Sequence, residues 1–237
     1  MKLTSITLNH KVKPVVHPDS LDELQTAWQF LRFTHKQAVI VIVGGAGGMD
    51  EEGIARVQMF FEKHLIPFAM KKNAAIIDGG TASGVMAAMG RARNLTEADF
   101  PLIGIIARDV ELIETMLEPQ HTHFIFCPGS NWGDESEWIA AAASALSGSQ
   151  PSLAIVINGG QITWNDARLN IQYGRPAMIA DVQAPGAVHQ IRGSGEPPFT
   201  EGVRGNPRIG QPVPQSPAVP GTAGMQGQIR HAAGERG

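Results

Sequence analysis

Four glycine-rich turns hold most of the residues through which this chain could do chemistry. In Asp78-Gly79-Gly80-Thr81-Ala82-Ser83-Gly84-Val85-Met86 a helix start follows the glycines and carries no acid. Glycines allow close backbone approach, and a helix N-terminus presents unpaired amides and a positive dipole end. Gly79, Gly80, Thr81, Ser83 and Gly84 are therefore candidates to hold a phosphate. The same residues fit a tight turn with Thr81 as N-cap and Gly84 for close packing. In Gly44-Gly45-Ala46-Gly47-Gly48-Met49-Asp50 the glycines Gly44 and Gly45 are candidates too. There Asp50, Glu51 and Glu52 fill the first helical turn and would repel phosphate. They suit capping and dipole pairing, or a carboxylate there takes ribose hydroxyls.

The third turn is Pro128-Gly129-Ser130-Asn131-Trp132-Gly133-Asp134-Glu135-Ser136-Glu137. Gly129, Ser130, Gly133 and Glu137 are its candidates. Glu137 is suited to acid/base work or a ribose contact, and equally to a capping box with Asp134. Trp132 can stack on a base or cover the sheet edge. The fourth turn, Asn158-Gly159-Gly160-Gln161, adds Gly159 and Gly160. His121 and His123 lack the further ligands of a metal site and are expected to be structural, so no metal is expected. Cys127 has no evident base and reads as a packed residue. There is no serine-hydrolase elbow and no P-loop lysine. No lysine follows Lys72, so a cationic clamp would have to come from Arg91, Arg93 or Arg168.

These turns need elements to place them. Ala38–Val43, Ala74–Ile77, Leu102–Ala107, His123–Cys127, Leu153–Ile157 and Pro176–Ala180 are short apolar runs, most ending in glycine. Such runs mark strands buried on both faces. Between them apolar residues recur at helical spacing: Ile54, Val57, Phe61 and Leu65; Val85, Met89 and Ala92; Trp138, Ile139, Ala142 and Leu146. Helices are expected to start at Thr81 and Asp134 and to cover Thr163–Tyr173. An earlier helix carries Leu24, Trp28 and Leu31, and Met1–Pro18 supplies one or two strands. The alternation predicts a Rossmann-like, three-layer α/β fold with a mostly parallel sheet. Ligands of such sheets bind at the carboxyl ends of the strands, where these glycines lie.

Composition narrows the class. The 237 residues and 43% hydrophobic content suit one globular domain. A net charge of −3 gives no bulk attraction to nucleic acid. One cysteine excludes an internal disulfide, Met1–His17 has no long apolar run, and no run approaches a membrane span. A cytoplasmic location without membrane insertion is expected. Half of the 16 prolines lie beyond Asp181, in a stretch rich in Gly, Gln and Arg. The expected organisation is a domain over 1–181 and a disordered tail over 182–237. A frameshift near Asp181 would produce the same composition change.

Two segments resemble the cytosolic N-terminal region of TRPM cation channels. Asp78-Gly79-Gly80-Thr81-Ala82-Ser83-Gly84-Val85-Met86 resembles its Gly-Gly-Thr-x-x-Gly-Val-Met turn, and Leu117-Glu118-Pro119-Gln120-His121-Thr122-His123-Phe124-Ile125 its Leu-Asp-x-x-His-Thr-His-Phe segment. The resemblance covers about residues 38–181 and points to the SLOG superfamily, prokaryotic TRPM-like (LSDAT) branch. It implies a nucleotide sensor for a ligand such as ADP-ribose, without a resident cofactor. The implied partners are that small molecule, a homo-oligomeric copy and a separately encoded effector. The related phosphoribohydrolases carry Pro-Gly-Gly-x-Gly-Thr-x-x-Glu. Pro128, Gly129, Gly133 and Glu137 match it with one insertion, but Ser130 and Asp134 depart, and Glu111–Glu118 holds no arginine. Hydrolysis of nucleoside monophosphates, with Glu137 as its carboxylate, is the alternative reading. A DNA-binding role like that of the DNA-processing relatives is a third, and the net charge counts against it.

Overall fold

Asn9 and His10 both adopt positive φ (45° and 61°), the backbone a two-residue hairpin turn requires. They join β1 (Lys2–Leu8) to β2 (Lys11–His17) in an antiparallel pair, so the opening segment forms two strands. The computed structural model describes residues 1–45, 47–111, 113–180 and 182, and the backbone alone of 181 and 187–191. These fall within one compact unit.

β2 pairs in parallel with β6 (His123–Cys127), bringing the hairpin to one end of the main sheet. The order continues through β5 (Leu102–Ala107), β4 (Ala75–Asp78), β3 (Val39–Gly44), β7 (Ser152–Ile157) and β8 (Ala177–Asp181), all parallel. The central strands are buried along nearly their whole length, as their unbroken apolar runs require. The expected Rossmann-like α/β architecture is present. One strand was not anticipated: β9 (Ala187–Ile191) pairs antiparallel with β8, beyond the boundary expected at 181. Residues 183–186 and 192–237, where the disordered tail and the frameshift are expected, lie outside the described residues.

On one face lie α2 (Glu51–Phe60), a π-helical turn (Phe61–Leu65), α3 (Ile66–Lys72) and α4 (Gly84–Leu95). Their Val57, Phe61, Val85 and Met89 share a core with Ile40, Ile42, Ile76 and Ile157. α1 (Leu24–Phe30), α5 (Ser136–Ser147) and α6 (Gln161–Gln172) form the other layer, α5 packing against both α1 and α6. The chain runs outward from β3 to β4 on one side, and β7 flanks β3 on the other. A crevice must open above that reversal, at the carboxyl ends of β3 and β7.

Candidate ligand-binding cleft

The crevice is a cleft of ≈ 800 Å³, within the usual range for a small-molecule site. All four turns contribute to it. Gly44 and Gly45 come from the first, Gly79, Thr81 and Ser83 from the second, Trp132 and Glu135 from the third, and Gly160, Thr163 and Asp166 from the fourth and from α6.

Its floor is set by glycine contacts. A Cβ on Gly44 would stand 2.8 Å from the Ile157 carbonyl oxygen and against Val85. Gly80 has φ +65°, and a Cβ there would meet Gly104 Cα at 2.8 Å. Gly80 thus supports the second turn from behind instead of lining the cleft. α2 starts as expected, with Asp50 accepting from the Gly53 amide at 2.7 Å.

α4 departs from expectation. It begins at Gly84, not Thr81, because Thr81 forms an antiparallel bridge with Leu117. Ala82 N donates to Met116 O at 2.7 Å, and Glu118 N to Gly80 O at 2.9 Å. These bonds hold the 115–118 segment against the turn and make Thr115 and Met116 a wall of the cleft. No side chain caps α4. Val85 N donates to Gly45 O and Ala87 N to Ser83 O, while the amides of Gly84 and Met86 have no acceptor among the described residues.

Beneath this wall lies a buried cluster, of which spacing shows only the Glu118–His121 half. His121, fully buried, places Nε2 2.7 Å from Asp78 Oδ1 and Nδ1 2.8 Å from Glu118 Oε2. Asp78 Oδ1 also accepts from Gly80 N at 2.7 Å, while its Oδ2 is buried without a partner. Glu118 Oε2 also accepts from the amides of Gln120 and His121. Burial opposes a charge on His121, but the Asp78 and Glu118 carboxylates outweigh it and raise its pKa to about 9. His121 is therefore a structural cation, in keeping with the structural role expected. The sequence signal was there in the Glu118-x-x-His121 spacing.

In the third turn α5 starts at Ser136, two residues later than expected. Asp134 does not cap it. Its Oδ2 gathers the amides of Ser130 and Asn131, each at 3.0 Å, and these bonds hold its pKa below the usual carboxylate value. Glu137, the carboxylate singled out in the sequence, is exposed on α5 and faces the Tyr173 hydroxyl, which donates to it at 3.5 Å. It is not among the cleft residues; Glu135 is. Residues two apart at a helix start point in different directions. Glu135 Oε2 accepts from Gly133 N at 3.0 Å, yet burial keeps its carboxyl above the ordinary value.

The other candidates support the site from outside. Gly129 (φ +151°) makes room for Asp134, Gly133 packs beneath Ile162, and Gly159 (φ +124°) lies against Thr163. Ser130 is exposed beside the cleft, and Gly84 opens α4. Asp166, absent from the candidates, lines the cleft; burial, reinforced by Glu135, raises its pKa to about 6. Ser136 Oγ moderates that rise, although neither it nor Asp166 Oδ1 has a hydrogen-bond partner by geometry.

Among the described residues, no lysine, arginine or histidine lines the cleft. Arg91 bonds Gln58, Arg93 bonds the Phe100 and Gln120 carbonyls, and Arg168 bonds Gln172 and Asn165. Among the described residues no cluster of three potential metal ligands occurs, and no helix is long and apolar enough to cross a membrane. Cys127 is buried and its thiol is pushed up to about 12 by burial, which fits a packed residue.

Residues 37–183 match the family described as SLOG in TRPM, prokaryote. The chain belongs to that family. The matched span of this SLOG domain runs from just before β3 through β8 and so includes every turn of the cleft. Comparison with curated proteins gave no match. Among solved structures, the molybdenum cofactor binding protein from the phototrophic bacterium Rippkaea orientalis is similar at 13% identity, with a TM-score of 0.46, over 62% of this chain and 77% of that one.

Proposed function

We propose that this SLOG domain is a cytoplasmic sensor that binds a nucleotide or NAD-derived ligand, such as ADP-ribose, in the cleft between β3 and β7. One observation carries the reading: the acid-free, uncapped start of α4 opens into the cleft with the Gly84 and Met86 amides lacking acceptors. A helix of 12 residues that begins this way favours an anion through amide donors and its dipole. Thr81 and Ser83 add hydroxyls, and Trp132, half exposed on the rim, offers a face for a base. Family membership supports a small-molecule ligand.

The test is thermal unfolding with AMP, ADP-ribose and related NAD metabolites. A ligand at 100 times its dissociation constant adds about 2.7 kcal/mol. Ser83→Asp keeps a good N-cap residue but puts a carboxylate at the anion position. It is expected to fold and to lose the shift. No shift with any of these ligands overturns the reading.

Hydrolysis is the second reading, favoured by one observation: Glu135 and Asp166 are two carboxyls with raised pKa facing one cleft. It predicts release of free base from AMP, abolished by Glu135→Gln. The described lining residues include no cationic group, which supports binding without turnover, since electrostatic groups of this kind contribute about 10²–10³ in rate.

A further inference from the structure

The charge distribution in the cleft is one-sided. Its charged lining residues, among those described, are Glu135 and Asp166. Glu135 precedes α5 and Asp166 lies on α6, and these helices pack against each other. Across the cleft is the start of α4, with no acid in its first turn. One wall therefore offers donors and a positive dipole end, and the other offers carboxylate acceptors.

The acceptors have capacity to spare. Glu135 Oε2 accepts from the Gly133 amide, and burial still outweighs the backbone amides that steady this carboxylate. Asp166 Oδ1 is buried without a hydrogen-bond partner by geometry, and Ser136 Oγ, close enough to moderate the Asp166 pKa, is likewise buried without one. A partly buried carboxylate left short of donors is costly and gains from a ligand N–H or O–H. The same carboxylates repel a second anionic group placed there.

We propose that Glu135 and Asp166 form a donor-selecting subsite. On this assignment the ligand lies with its phosphate at Thr81–Ser83 and its hydrogen-bond-donating end on these two carboxylates. The inference rests on the nucleotide reading above. The shared chemistry is a neutral donor group, supplied either by the ribose diol or by an exocyclic amine of the base. A ligand with a single anionic end is accepted, and one anionic at both ends is rejected.

The experiment is calorimetric titration of the full chain with four probes: AMP, IMP, 2′,3′-dideoxyadenosine monophosphate and adenosine 3′,5′-bisphosphate. The parent is expected to bind AMP and to bind the bisphosphate at least about tenfold more weakly. Loss of affinity for IMP assigns the amine as the donor, and loss for the dideoxy compound assigns the diol. Glu135→Gln and Asp166→Asn are each expected to weaken AMP about tenfold or more, the span of a hydrogen bond to a charged group. The double variant is expected to accept the bisphosphate as well as it accepts AMP. That gain is one that a merely damaged fold would not produce. If AMP binds the parent and all variants alike, or if the parent does not discriminate against the bisphosphate, the subsite is wrong and the nucleotide reading stands. If the parent binds none of the four probes and no ADP-ribose, the nucleotide reading fails and the subsite with it.

Discussion

Asp78 and His121 are 43 positions apart in the chain, yet Asp78 Oδ1 and His121 Nε2 lie 2.7 Å apart in the core. The contact links the end of β4, where the second glycine turn begins, to the segment that walls the cleft. Glu118 completes the link on the other ring nitrogen. The two motifs that carry the TRPM resemblance are thus two halves of one buried cluster.

The first prediction follows from the charge on His121. Its folded pKa, about 9, is raised above the ordinary value near 6.5. The stabilisation it gives is fully present below about pH 6.5 and is lost as pH rises through about 9, on the order of 3 kcal/mol. Thermal midpoints should fall across that window, and His121→Gln should lower stability and flatten the slope. Proton NMR of the imidazole should show no titration between pH 6 and 8. A transition near pH 6.5 would disprove the assignment.

A second prediction concerns Gly90 on α4, where a Cβ would overlap the Glu118 carboxylate. In an ordinary helix Gly→Ala gains about 1 kcal/mol. Here Gly90→Ala is expected to be a net loss of about 1–3 kcal/mol, because the buried carboxylate has to move. Denaturant unfolding measures it, and a variant more stable than the parent would show that Glu118 can be displaced freely.

Asp166 is expected to trade stability for binding. Its carboxyl has a folded pKa of about 6, above the ordinary value for aspartate, so ionising it costs folding energy as pH rises to about 6. Asp166→Asn should therefore raise stability at pH 7–8, by on the order of 1 kcal/mol, while weakening AMP. Unfolding at pH 4 and at pH 7.5 checks the sign: the gain should shrink at the lower pH.

Glu137 and Glu135 separate cleanly. Glu137→Gln removes an exposed carboxylate whose contact is Tyr173 at 3.5 Å, outside the cleft. Its effect on stability should be within about 0.5 kcal/mol and its effect on AMP affinity less than about twofold. An effect as large as that of Glu135→Gln would return Glu137 to the site.

The sequence by itself determined the order of the elements. Short apolar runs without alternation, bounded by glycines, read as strands covered on both sides, and Gly44 and Gly80 beyond them sit where backbones approach closely. It also placed the cleft, since a parallel α/β sheet opens at the carboxyl ends of its strands. The Asp50 cap and the packed Cys127 were legible because each depends on local chemistry.

Only the tertiary structure decided which side chains face the cleft. Leu117 bridges Thr81, α4 therefore starts three residues later, and that shift rotates what its first turn presents. Asp134 turns back to hold the loop amides, so α5 starts at Ser136 and the cleft receives Glu135 instead of Glu137. His121 meets Asp78, and Asp166 comes beside Glu135 and Ser136, across elements distant in sequence, where no spacing rule reaches. A motif fixes which residue types are near a turn. Their direction depends on the phase at which each helix begins, and here contacts from other parts of the chain set that phase.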